Sequence, residues 1–196
     1  MEFGAGHCEP DESGDDDLRL IRRAQTDLLE FARIYDKYVA VIYGYCRRRL
    51  DSDSLAEDVT SAIFMKALAA TPNFKPGAGT VRSWLFAIAH NAVLDQIRLL
   101  NRRADRPLED AAEAIDASPS PETTALENET RREMETAMDW LTGEQKRVVE
   151  LRLAGLTGPE IAEALGIGHG AVRSLQRRAL LRMRGSMCGA GKESLP

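Results

Sequence analysis

Thr157-Gly-Pro-Glu-Ile-Ala-Glu-Ala-Leu-Gly-Ile-Gly-His-Gly-Ala-Val-Arg-Ser-Leu-Gln-Arg-Arg-Ala-Leu-Leu-Arg-Met-Arg184 is the stretch whose reading decides the fold. It opens with a capping box: the Thr157 hydroxyl accepts from the Glu160 amide, and the Glu160 carboxylate reaches back to the Thr157 N–H. Ile161, Ala162 and Leu165 follow at helical spacing. Gly166 can take the positive φ that ends a helix, and Gly168 can cap the next one. Val172, Leu175, Ala179 and Met183 then form an inward stripe. Between Ala171 and Met187 stand five arginines (Arg173, Arg177, Arg178, Arg182, Arg184) and no acidic residue. A helix with one apolar and one cationic face lies on a core and meets phosphates. The pattern predicts a helix-turn-helix that binds DNA.

Working outward, Thr142-Gly-Glu-Gln145 is a second capping box, and Val148, Val149, Leu151 and Leu153 supply packing for its helix. Residues 18–103 are expected to be almost entirely helical. Leu28, Phe31, Tyr35, Tyr38, Ile42 and Tyr45 recur at steps of three and four, which predicts a buried stripe on one long helix. Asp51-Ser-Asp53 breaks it. Ser54-Leu-Ala-Glu57 is a third capping box, opening a helix with Leu55, Val59, Ala62 and Ile63 inward. Residues 71–80 hold two prolines and two glycines and predict a loop. A further helix is expected from Val81 to Arg102. No strand pattern occurs. The fold class is therefore all-α, with two small helical domains joined by a flexible linker, the C-terminal one a helix-turn-helix. The expected divisions are an acidic disordered tail (1–17), a helical domain (18–103), a linker (104–120), a helix-turn-helix domain (121–187) opened by Ser120-Pro-Glu122, and a disordered tail (188–196) within a frayed end from Gly185.

The net charge of −5 argues against DNA binding only until it is divided along the chain. Residues 1–17 carry seven acids and no base, and residues 104–120 five acids and one base. Residues 18–103 carry fourteen bases and eight acids. The acidity lies in a tail and a linker, and the first folded segment is cationic. The polar head lacks the apolar core of a signal peptide, and no run of 18 apolar residues would span a membrane. Three scattered cysteines (Cys8, Cys46, Cys188) fit a reducing cytoplasm and no disulfide framework.

The helix after the loop carries a second constellation. Leu85, Ile88, Ala92 and Leu99 line one side, while Asn91, Asp95, Arg98 and Arg102 line another. A polar stripe beside Trp84, behind a loop containing Phe74 and Lys75, has the parts that hold a single nucleic-acid strand. Aromatic rings stack bases, amides read edges and arginines hold phosphates. A solvated helix face with Trp84 in the core is the alternative, and periodicity alone does not decide between them.

Three segments together resemble a known family. Leu55-Ala-Glu-Asp-Val-Thr-Ser-Ala-Ile-Phe-Met-Lys-Ala-Leu68 is similar to the polymerase-binding helix of bacterial extracytoplasmic-function (ECF) sigma factors. Ser83-Trp-Leu-Phe-Ala-Ile-Ala-His-Asn-Ala-Val-Leu-Asp-Gln-Ile-Arg98 resembles their promoter-melting helix, and residues 141–184 their reader of the minus-thirty-five element. The resemblance covers roughly residues 25–103 and 121–184. It implies a dissociable initiation subunit that works as a monomer on RNA polymerase core, binds promoter DNA and is restrained by an anti-sigma factor. It further implies that Glu57, Asp58 and Ser61 meet the polymerase. Phe74, Lys75, Arg82, Asn91, Arg98 and Arg102 would then take the minus-ten element, and His169, Gly170, Arg173, Ser174, Arg177 and Arg178 the minus-thirty-five element.

The family usually follows the serine at 174 with Arg, an apolar residue, a variable residue and Arg-Ala-Arg. Here the run is Leu175-Gln-Arg-Arg-Ala-Leu180, so base preference does not carry over. Gly168-His-Gly170 stands where a Ser or Thr cap is common. Enzymatic readings find no support: there is no phosphate loop, and His7, His90 and His169 have no metal-ligand spacing. No cofactor, metal or small-molecule substrate is expected. Two other readings compete. Residues 141–184 also resemble the DNA-binding domain of LuxR-type regulators, but residues 1–103 lack the βα alternation of a receiver. A helical module that binds only protein would make no promoter-specific contact.

Overall fold

The computed structural model describes residues 12–50, 52–77, 79–104 and 136–190. Seven helices are defined there: α1 (Glu12–Thr26), α2 (Phe31–Arg47), α3 (Asp53–Ala70), α4 (Val81–Ala104), α5 (Gly143–Leu153), α6 (Gly158–Leu165) and α7 (His169–Ala190). A helical stretch at 136–139 precedes α5, and no strand occurs among the described residues. The expected linker beyond Ala104 and the expected helix start at Ser120-Pro-Glu122 lie outside the described residues.

The first unit is α1 to α4. Ile34, Ile42, Tyr45, Ile63, Leu85 and Phe86 are fully buried between its helices. Each such side chain contributes about 1.5–3 kcal/mol by leaving water. Tyr45 sets its ring edge toward Phe86 at 5.8 Å, and its hydroxyl meets Nδ1 of His90 at 3.2 Å. In the second unit, α5, α6 and α7 enclose Val148, Leu151, Leu156, Ile161 and Val172. The two units share one core, because α6 lies along α4.

Several expectations change. The acidic head is not tail-like throughout, since Glu12–Asp17 belong to α1. Asp17 is buried there, bonded to the Tyr38 hydroxyl and paired with Lys37 at 2.5 Å. The stripe from Leu28 to Tyr45 does not lie on one helix. Asp27 accepts from the Leu29 amide and starts a 3-10 turn over Leu28–Glu30, so α2 begins only at Phe31 and Leu28 is 54% exposed. Tyr35, 44% exposed, rests edge-on against Phe64. Ile34 takes the inward place.

The cap of α3 is Ser52, whose hydroxyl accepts from the Leu55 amide, not Ser54. Ala56, Thr60 and Phe64 face inward beside Val59 and Ile63, and Ala62 is exposed. In α5, Leu153 is exposed too. At the C-terminus α7 continues to Ala190, past the expected frayed end at Gly185. Gly185 is not among the positive-φ glycines (Gly77, Gly79, Gly155, Gly166), and a glycine without that φ does not stop a helix.

The loop at 71–80 is braced from α1. The Gln25 side-chain amide donates to the carbonyls of Thr71 (3.1 Å) and Phe74 (2.8 Å). Both capping boxes of the second unit form as expected, at Thr142/Gln145 and Thr157/Glu160. Gly166 closes α6 with φ 65°, and the Gly168 carbonyl accepts from the Val172 amide at 3.2 Å to start α7.

Candidate nucleic-acid interface

The cationic face of α7 follows from its start. With α7 beginning at His169, the inward stripe places Val172, Leu175 and Ala179 in the core. His169, Gly170, Arg173, Ser174, Arg177 and Arg178 are all solvent-exposed. His169 lies over α6, its Nε2 2.9 Å from where a Cβ on Gly158 would stand. Any larger residue at 158 would displace that ring. Arg178 bends back to the Ser174 carbonyl at 3.4 Å, and Arg182 reaches Oε1 of Gln145 at 3.3 Å. Arg173 and Arg177, one helical turn apart, form no ion pair among the described residues.

Helix α4 is launched by Thr80. Its hydroxyl accepts from the Ser83 amide at 3.0 Å, and Ser83 Oγ donates to the Thr80 carbonyl at 2.8 Å. Asn91, Arg98 and Arg102 are exposed along the helix, with Arg98 3.3 Å from Asp95. Lys75 is exposed in the loop. Phe74 turns inward: it is 8% exposed and sets its ring against half-buried Trp84 at 5.3 Å. In this arrangement its ring anchors the loop and presents no face to a base. Arg82 also points away from the stripe, donating from Nη2 to the Ala154 carbonyl at 2.9 Å. Asn91, Arg98, Arg102 and Lys75 are therefore presented to solvent, while Phe74 and Arg82 are not. Glu57, Asp58 and Ser61 are exposed on α3, away from the core stripe of Ala56, Val59, Thr60 and Ile63.

Electrostatics between the units escaped the sequence reading. Arg49 Nη1 meets Glu150 Oε2 at 2.7 Å, with side chains 9% and 0% exposed. Burial pushes the Glu150 carboxyl above the usual carboxylate range, and Arg49 opposes that shift. His90, inside the same region, is pushed down to about 4, first by burial and then by the charges of Arg147, Arg49 and Arg98. A neutral His90 imidazole follows at ordinary pH. Thr80 was a second omission. A Thr three residues before a Ser at a helix start signals a cap, but not the contact Thr80 also makes with α6.

Two family models match the chain: sigma-70 region 2 over residues 34–103 and sigma-70 region 4 over residues 137–185. The ECF RNA polymerase sigma factor BldN of Streptomyces coelicolor is 32% identical over 83% of this chain, which spans 62% of that relative's length. The ECF RNA polymerase sigma factor SigD of Mycobacterium bovis is 30% identical over 87% of this chain and 80% of its own. Among solved structures, CnrH in complex with the cytosolic domain of CnrY shares the fold at TM-score 0.67 and 20% identity, over 88% of this chain and 97% of that one. RpoE of Bartonella quintana, solved with the anti-sigma factor NepR, does so at TM-score 0.63 and 20% identity, over 80% and 95%. The region 2 match occupies the segment where a LuxR-type regulator would carry its receiver, so that alternative is not favoured. Helices α2 to α4 carry region 2, α5 to α7 carry region 4, and the chain belongs to the ECF sigma factors of RNA polymerase.

Proposed function

We propose that the protein is a dissociable initiation subunit that binds RNA polymerase core in the cytoplasm as a monomer, reads both promoter elements and promotes melting. The observation that carries this reading is a pair of exposed polar stripes, one on each unit: Asn91, Arg98 and Arg102 on α4, and Arg173, Ser174, Arg177 and Arg178 on α7. On α7 the arginines meet phosphates and base edges in a major groove, where one bidentate arginine–guanine contact contributes about 1–3 kcal/mol of discrimination. On α4, Asn91 has the donors and acceptor to read an unstacked base, and Lys75, Arg98 and Arg102 hold the strand's phosphates. Extruding a base costs a few kcal/mol, which those contacts offset. Arg82 and Phe74 join the site if the loop and the second unit move. Glu57, Asp58 and Ser61 face the polymerase, and an anti-sigma factor restrains the protein between signals. The reading assigns the chain no catalytic step, cofactor or small-molecule substrate.

Run-off transcription with purified core polymerase, with and without this protein, tests the proposal. Promoter-specific transcripts that require the protein support it. DNA binding that needs no core would point to a stand-alone regulator, and the absence of both to a module that binds only protein.

A further inference from the structure

The loop that carries Lys75 has few means of holding its own shape. Pro72 and Pro76 have no N–H to donate, and Gly77 and Gly79 stand at φ 94° and 123°. After the 3-10 turn of Thr71–Asn73 the chain becomes extended at Phe74 (φ −62°, ψ 129°), which takes its carbonyl out of the helical direction. Each end of the loop is fastened from outside instead. At the far end Thr80 caps α4 and donates its hydroxyl to Glu160 Oε1 at 3.0 Å. At the near end one nitrogen, Gln25 Nε2, donates to two carbonyls, Thr71 at 3.1 Å and Phe74 at 2.8 Å. A neutral side-chain amide suits this place because its single nitrogen carries two donors. A glutamate of the same size would set its oxygens against both carbonyl oxygens.

The brace has a firm base. Ile21 and Ala24 of α1 are fully buried, and Asp17 fastens the helix to Lys37 and Tyr38 of α2. The line of contacts also continues past the carbonyls. Phe74 sets its ring against Trp84, early in α4. Asn91 stands seven residues further along that helix, two turns or about 10 Å. Lys75 follows directly on the braced Phe74 carbonyl and is exposed.

We infer that α1 belongs to the strand-reading apparatus, with Gln25 the positioning residue that fixes Lys75 relative to the stripe of Asn91, Arg98 and Arg102. Gln25 acts through the loop, its amide being spent on the two carbonyls. A loop that visits its binding position for only a fraction of the time binds with affinity reduced by that fraction. The brace raises affinity by removing the other loop positions.

The inference rests on the promoter-reading role proposed above, and its test is separable from that role. In the full chain, Gln25→Leu nearly keeps the volume and removes both donors. Strand binding is measured by anisotropy of a fluorescein-labelled, single-stranded non-template promoter DNA titrated with the factor on core polymerase. Gln25→Leu should weaken it about fivefold and Lys75→Ala by a similar factor. The double variant should lose little more than either alone, because the two residues act through one contact. Upstream-duplex binding through α7 should match the wild type. Trp84 reports on the loop directly: in a background of Trp140→Phe, a position 65% exposed, it is the remaining tryptophan of two. Its quenching by acrylamide should rise in Gln25→Leu.

Should Gln25→Leu lose its helical circular dichroism, Gln25→Glu, polar at this half-buried position, takes its place with the same expectations. Losses that multiply in the double variant would mean that Gln25 does not act through Lys75, and would overturn the inference. Unchanged strand affinity or unchanged Trp84 quenching would overturn it too. A wild type that yields no run-off transcripts sinks the promoter reading; transcripts from a wild type whose strand binding Gln25→Leu leaves unaltered sink the positioning role alone.

Discussion

Replacing Arg173 and Arg177 together by alanine tests the α7 interface through its response to salt. Both guanidinium groups are exposed, and neither is held by a carboxylate among the described residues, so their removal should leave the fold intact. They stand four residues apart, about 6 Å along the helix, a distance that reaches two successive phosphates of one strand at roughly 3.4 Å each. Removing one arginine–phosphate pairing lowers the slope of log K against log salt by about 0.9, so the double variant should lower it by about 1.8. Between 50 and 200 mM salt, the wild type should then lose about twelvefold more affinity than the variant. The assay is anisotropy of a labelled promoter duplex titrated with the factor on core polymerase at four or more salt concentrations. A slope within error of the wild type refutes the phosphate assignment. Should affinity fall at every salt concentration while the slope stands still, the two side chains read base edges instead.

Three further outcomes are expected. Asn91→Ala should reduce permanganate reactivity of promoter thymines while core binding, followed by native gel shift, stays as in the wild type; undiminished reactivity removes Asn91 from the strand-reading stripe. His90, held down to about 4, stays neutral in the folded chain while an unfolded histidine gains its proton near pH 6.5, so stability is unaffected above that range and falls as the pH drops from about 6.5 to 4. The full loss is on the order of 3 kcal/mol, and urea unfolding across this range should show His90→Gln to be less sensitive than the wild type. Thr157→Ala removes the acceptor of the Glu160 amide and should cost about 1 kcal/mol, with Thr157→Ser restoring most of it; equal unfolding midpoints for all three proteins would remove the box from the energetics.

Local signals in the chain were strong where one short segment contained the whole cause. The Thr142 and Thr157 boxes, the turn at Gly166 and the inner stripe of α7 each need no more than about a dozen neighbouring residues, and all are found in place. Errors arose where two local solutions competed. Ser52 and Ser54 are both acceptable caps, and the nearer fit to a box pattern favoured the wrong one. Leu28 shares the periodicity of α2 but sits beyond the Asp27 cap, which takes it off the helix. The contact of the two units was out of reach for a different reason. Arg49 and Glu150 are 101 residues apart, and each alone resembles an ordinary charge on a helical surface. Phe74 and Arg82 were legible as residue types suited to a strand, but whether they face outward depends on Trp84 and Ala154, which only the tertiary packing brings to them.

The amide of Gln25 has a practical bearing on how the molecule can be dissected. It ties α1, which precedes the region 2 match at residue 34, to both ends of the Thr71–Phe74 segment. A fragment cut at the family's borders would keep every residue assigned to DNA yet lose the prop beneath the loop that carries Lys75 and leads into α4, and weak binding by such a fragment would reflect missing scaffolding rather than missing recognition.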